Sequence, residues 1–245
     1  MKIKTILLSL PLSLVLSIVA AQNLKETQYQ AYLLQSPELW KKALSLQINE
    51  SKKSPQDETN QLILGYSYYS LLCGSAATQD ENFFDQYAAD AKKLLKEIME
   101  KNPQSGEVKA MLSGVYGLEM GFSPMKGMLL GAKSHSLINE AIKLEPNAAL
   151  VWKIYGNSKF YTPSAFGGDV KEAIKALEKS IQSFEVDPSS LKKNWLYLNT
   201  ILLLGQAYKK ENEVAKAKSA YEKALSFEPE FDYAKKLLEK ASSKK

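Results

Sequence analysis

Chemistry needs groups that move a proton, attack a carbonyl or hold a metal, and this chain is poor in all three. His135 is its only histidine and Cys73 its only cysteine, so no second His or Cys is available for a metal site. No G-x-S-x-G elbow presents a serine for His135 to activate. Ser134-His135-Ser136 falls at a predicted helix start, where an exposed or capping role fits the histidine. The carboxylates of Asp80-Glu81 and Glu211/Glu213 sit in polar stretches that read as solvated. Gly167-Gly168 precedes a predicted helix but lacks the strand, the Lys-Ser/Thr pair and the glycine spacing of a phosphate cradle. No catalytic, metal-binding or cofactor-binding residue is assigned, and the chain is not expected to be an enzyme. Cys73, within the apolar stretch from Tyr68 to Gly74, reads as a small buried hydrophobe.

All 32 basic residues are lysine. Bidentate recognition of phosphate or guanine edges is arginine work, whereas an ammonium is a point charge. The formal charge of +5 falls to +3 without Lys2 and Lys4, too little to imply a nucleic-acid partner. Lys52-Lys53, Lys92-Lys93 and Lys244-Lys245 read as solvated faces and tails.

The residues with meaningful spacing are structural. Leu204-Gly205-x-x-Tyr208, then Ala217-x-x-x-Tyr221, Ala224 and Pro229 describe a packed helical hairpin. Gly205, Ala217 and Ala224 allow close approach, Leu204, Tyr208 and Tyr221 fill the gap, and Pro229 ends the second helix. Degenerate copies precede it, with glycines at 65, 114 and 156 and closing prolines at 103, 146 and 188, the prolines stepping by 43, 42 and 41 residues. The second helices keep a small-and-large set in Ala91/Leu95/Ile98, Ser134/Ile138/Ala141 and Ala173/Leu177/Ser180. Gly-to-Pro distances of 38, 32, 32 and 24 residues predict turn insertions of about 14, 8 and 8 residues in the first three hairpins. Ile174, Leu177 and Ile181 follow helical spacing, and no period-two stretch competes.

This pattern resembles the tetratricopeptide repeat, with Ile201 where that repeat usually has Trp and Tyr221 where it usually has Phe. The fold expected is all-α: a tetratricopeptide-like right-handed solenoid of helical hairpins with enlarged turns within the repeats. Approximate repeats are 22–55, 58–103, 107–146, 149–188 and 198–231, with a last helix to about 241. A lone hairpin cannot bury its apolar side, so the copies must stack into one domain over 22–245.

Lys2 and Lys4 precede an apolar run from Ile6 to Val19, and Val19-Ala20-Ala21 offers small residues for cleavage. Residues 1–21 therefore read as a signal peptide, with retention as an anchor the competing reading; the run is short and Pro11 interrupts it. The compartment expected is the periplasm or outside the cell, and no stable membrane span is expected once the leader is removed. The chain has no cysteine pair for a disulfide.

Two of the enlarged turns share chemistry. Phe122-Ser123-Pro124-Met125-Lys126-Gly127-Met128 and Tyr161-Thr162-Pro163-Ser164-Ala165-Phe166-Gly167-Gly168-Asp169 each pass from an aromatic through a hydroxyl residue and Pro to Gly. They resemble exported bacterial tetratricopeptide proteins, especially of Bacteroidetes, and also the periplasmic T component of some tripartite (TRAP-type) transporters. That resemblance implies a binding scaffold outside the cytoplasm. The turns of 121–131 and 161–169 either brace the fold, with Asp169 capping the next helix and Phe166 in the core, or line a pocket with Phe122, Met125, Met128, Tyr161 and Phe166. The second surface is a groove along the first helices, with Tyr69, Lys153, Asn157, Gln206 and Lys209 expected exposed for a protein or peptide partner. Two functions follow: an exported scaffold for protein–protein interaction, with an open groove, or a small-molecule or lipid-binding component of a transport system, with a pocket near Tyr161 and Phe166.

Overall fold

The computed structural model describes residues 12–243, with side chains from Ala21 onward. They form eleven α-helices and no strand: α1 (Leu12–Leu34), α2 (Pro37–Lys53), α3 (Glu58–Thr78), α4 (Glu81–Lys101), α5 (Gly106–Phe122), α6 (Gly127–Leu144), α7 (Ala149–Tyr161), α8 (Val170–Glu185), α9 (Trp195–Lys210), α10 (Val214–Phe227) and α11 (Asp232–Ser242). Local chemistry sets many of the starts. Ser36, Asp57, Asp80, Ser105, Asp169 and Asn194 each cap a helix by accepting a backbone N–H three residues on. Glu145 adds a cap from a distance, accepting from the N–H groups of Gly106 (2.8 Å) and Glu107 (3.1 Å) at the start of α5.

The helices pair in order into five hairpins with α11 at the end, and α3, α5 and α7 pack side by side as an inner row. The glycines set how closely these helices approach. A Cβ at Gly156 would lie 2.8 Å from Leu177, one at Gly65 3.0 Å from Leu95, and one at Gly205 would overlap the Tyr221 ring. Gly114 differs: its Cβ would meet Tyr69 of the preceding hairpin at 2.8 Å. Tyr69 is therefore a buried spacer between α3 and α5 and not the exposed groove residue expected. Small polar residues lock the pairs, with Ser113 and Ser134 hydroxyls 2.9 Å apart and the Ser180 hydroxyl donating to the Ala149 carbonyl at 2.7 Å.

The extra length of the early hairpins lies mostly in the helices, which corrects the expectation of enlarged turns. α3 and α4 are 21 residues each, joined by Gln79 and Asp80 alone. Gln79 adopts a left-handed conformation (φ 56°) and Asp80 caps α4 at once, so the chain reverses without a loop. Gly127 has ordinary helical angles, and Gly127–Gly131 form the start of α6. His135 thus lies well inside α6, exposed and paired with Asn139, rather than at a helix start. Among the turns within the described hairpins, only residues 162–169 are enlarged.

The first hairpin does not simply extend the row. Trp40 of α2 fills the gap left by Gly74 of α3 and stacks edge-on against Trp195 of α9, 5.2 Å between ring centres. Tyr32 of α1 packs on Trp195 at 5.7 Å and on Phe231 at 5.4 Å, and its hydroxyl accepts from Asn199 at 3.2 Å. Lys25 donates to the Ser190 carbonyl, Tyr29 donates to Glu228, and Glu26 pairs with Lys193. The N-terminal hairpin closes the curve against the last repeat, so the open groove expected along the first helices is covered. Most of the expected leader lies outside the described residues. α1 runs through Ala21, and Leu24 is the first buried side chain among the described residues.

Replacing Gly205 with Ala drives a methyl into the Tyr221 ring and is expected to cost about 2 kcal/mol. Gly117→Ala meets nothing within 4 Å on the exposed side of α5 and should stabilise by about 0.5–1 kcal/mol. Urea denaturation of the two variants checks both signs.

Candidate functional site

The turns within the hairpins share one edge of the solenoid, and two neighbouring ones are apolar. Met125 (87% exposed), Met128 (94%) and Leu129 stand out at the α5–α6 turn, and Tyr161 and Phe166 (81%) at the α7–α8 turn. Such exposure means that Met125, Met128 and Phe166 enclose nothing, which corrects the loop-lined pocket. It also corrects the placing of Phe166 in the core. Phe122, expected in the same pocket, turns inward and packs on Phe84 at 5.0 Å.

Both turns are held rigidly from below. Glu119 of α5 is buried, accepts from Lys92 of α4 at 2.7 Å and from Lys126 of the turn at 3.0 Å, and so ties three segments together. Burial opposes its ionisation, but the two ammoniums overcome that and hold its carboxyl below the usual range. In the second turn, Gly167 takes a left-handed angle (φ 91°), and Gly168 lies so close to the Thr162 carbonyl that no side chain fits. Asp169 caps α8 through the Glu172 N–H at 3.1 Å, and Lys159 bridges the Gly167 carbonyl and Glu172. The backbone braces while Phe166 projects.

The other predicted site residues separate. Gln206 is half-buried, with its amide 3.4 Å from the Tyr233 hydroxyl, and exposed Lys209 donates to the Lys240 carbonyl. Lys153 is fully buried, contrary to its expected exposure, with its ammonium 5.8 Å from the centre of the Trp195 ring of α9. With the Asn157 oxygen facing the ammonium, Lys153 Nζ donates to it at 3.1 Å. Tyr161 is 66% exposed, with its ring edge-on to Phe160 at 4.9 Å. Desolvation, then Tyr233 and Cys73, push the pKa of its phenol up to about 12 and make it a weaker acid. Burial likewise pushes the Cys73 thiol up, so it is not a reactive thiolate. Sequence reasoning missed Leu129, Trp195, Tyr32 and Tyr233 around these features; an apolar helix that closes a curve reads like one facing a core. Among the described residues, no group of three or more His, Cys, Asp or Glu could hold a metal. A shallow cleft on the opposite edge, lined by Leu62, Leu94, Ile98 and Val108, gathers no buried charge.

Residues 198–231 match the tetratricopeptide repeat family. The chain carries a tetratricopeptide repeat. The tetratricopeptide protein TTC0263 of Thermus thermophilus has a similar structure, with TM-score 0.59 at 18% identity over 90% of this chain and 97% of the other. So does the HusA haemophore of Porphyromonas gingivalis, with TM-score 0.59 at 16% identity over 76% and 92%. These likenesses establish a tetratricopeptide-like fold. No curated protein matches the sequence. The tetratricopeptide fold is a scaffold that presents surfaces to protein partners, and no described helix is long and apolar enough to cross a membrane.

Glu119→Gln is expected to destabilise by about 1–2 kcal/mol at pH 7, since the negative charge is lost and the amide offers one oxygen to the two ammoniums. The folded carboxyl titrates below its unfolded value, so this stability is present above about pH 4.3 and is lost as pH falls through the lower, folded value. Melting both proteins from pH 7 to pH 3 should show the gap closing.

Proposed function

We propose that this protein is an exported, non-catalytic scaffold that engages a protein partner through its apolar hairpin edge. The observation that carries this reading is the projection of Met125, Met128, Leu129 and Phe166 from two neighbouring, rigidly braced turns. Large apolar side chains presented on a fixed backbone lose little order on binding, and thioethers adapt to a partner's contour. The covered concave face leaves this edge as the adhesive surface. Export is supported by the Lys2/Lys4, apolar and Val19-Ala20-Ala21 pattern. Removing residues 1–21 also leaves the packing of α1 from Leu24 onward in place.

Fractionating the native host is expected to place the protein in the periplasm or medium, with Gln22 as its first residue. An intact Met1 in the cytoplasm would overturn the export half of the reading. A photo-crosslinking residue at position 128 should yield a discrete protein adduct in the host. The same residue at Lys175, exposed on α8, should not, and Phe166→Asp should weaken the adduct several-fold without lowering the melting temperature. Identical adducts from both positions would refute the edge.

A further inference from the structure

Five of the chain's six methionines lie among the described residues, and their surroundings divide them. Met111 of α5 is 1% exposed, and Met99 and Met120 are half-buried. A Cβ at Gly127 would lie 3.9 Å from the Met120 sulfur, which places that thioether under the start of α6. Met125 and Met128 stand three residues apart where a short 3-10 turn runs straight into α6, and they are 87% and 94% exposed. Neither packs on the core, whereas nearby Leu130 does. The two sulfurs on the apolar edge are therefore the ones that a solute in water can reach.

A thioether is also the one group on this edge that a mild oxidant converts; Leu129 and Phe166 are hydrocarbon and inert to peroxide. A sulfur lone pair attacks one oxygen of hydrogen peroxide, an S–O bond forms and the O–O bond breaks. The departing hydroxide takes the proton left on the transferred oxygen and leaves as water. The sulfur is oxidised by two electrons and the peroxide is reduced by the same two. The sulfoxide that results is polar and must shed water to enter an apolar contact. Reaction follows access to the sulfur, so Met125 and Met128 convert first and Met111 last. The fold does not register the change, because the Glu119 brace to Lys92 and Lys126 beneath the turn contains nothing that peroxide attacks.

We infer that Met125 and Met128 form an oxidation-sensitive modification site, at which peroxide turns both thioethers into sulfoxides and keeps the protein partner off the apolar edge. This inference rests on the partner edge proposed above. A bound partner covers the sulfurs, so the free protein is the form that is modified. A thiol-dependent methionine sulfoxide reductase reverses the state, two thiols becoming a disulfide while the oxygen leaves as water.

The test uses the full chain with a photo-crosslinking phenylalanine analogue in place of Phe166. It is treated with hydrogen peroxide, freed of the oxidant and irradiated in untreated extract of the native host. Peptide mass spectrometry is expected to find sulfoxide at Met125 and Met128 while Met111 remains a thioether, with the melting temperature unchanged. The protein adduct should fall about five-fold or more and recover after reductase and dithiothreitol. Met125→Leu/Met128→Leu, whatever its own starting yield, should give the same yield before and after peroxide. An adduct that survives oxidation of both sulfurs, an equal loss in the doubly substituted protein, a fall in melting temperature, or sulfoxide appearing first at Met99, Met111 or Met120 would each overturn the site and leave the edge standing. No adduct from the untreated protein would refute the edge, and the modification site with it.

Discussion

The stacking of Tyr32 and Trp40 on Trp195 is the contact on which the rest of the molecule depends. A row of hairpins has two ends, and each end exposes an apolar face that water penalises. Here the first hairpin turns back onto α9, so one cluster of aromatic rings covers both the amino-terminal face and the hollow of the curve. Gly74 makes this geometry available by leaving room for the Trp40 ring. Closure also creates the two environments that differ from an open array: a sealed interior that holds the Lys153 ammonium, and an outer edge that carries the remaining apolar surface.

Pairwise packing was readable because it depends on residue size at fixed spacing. Gly205 with Tyr221 and Gly156 with Leu177 meet as their spacing predicts, since a helical hairpin admits few other arrangements. Helix lengths were less readable. The link between α3 and α4 depends on Gln79 accepting a left-handed angle, a conformation that sequence does not announce for a non-glycine residue. Closure was not readable at all, because it joins residues more than 150 positions apart through aromatic rings that look like ordinary core. For that reason Tyr69 and Lys153, assigned to an open groove by repeat position, are buried. Met125, Met128 and Phe166 were legible as unusual turn residues, but their direction depends on the Glu119 and Gly168 braces beneath them.

The braces and the projecting side chains divide the work. Glu119 with its two lysines, and Asp169 with Lys159, commit polar contacts to fixing backbone, which leaves the apolar tips free of any role in stability. Changes at the tips can therefore alter recognition without disturbing the fold, whereas changes one layer below disturb both.

Synthesis runs from the amino terminus, and this gives the closure a temporal consequence. Neighbouring hairpins can assemble as they emerge, because their contacts are local in sequence. The faces of Tyr32 and Trp40 that Trp195 and Phe231 cover have no partner until nearly the whole chain has been made. The nascent protein thus carries an unfinished, sticky leading end through most of its production. The last repeat acts as the latch that retires it.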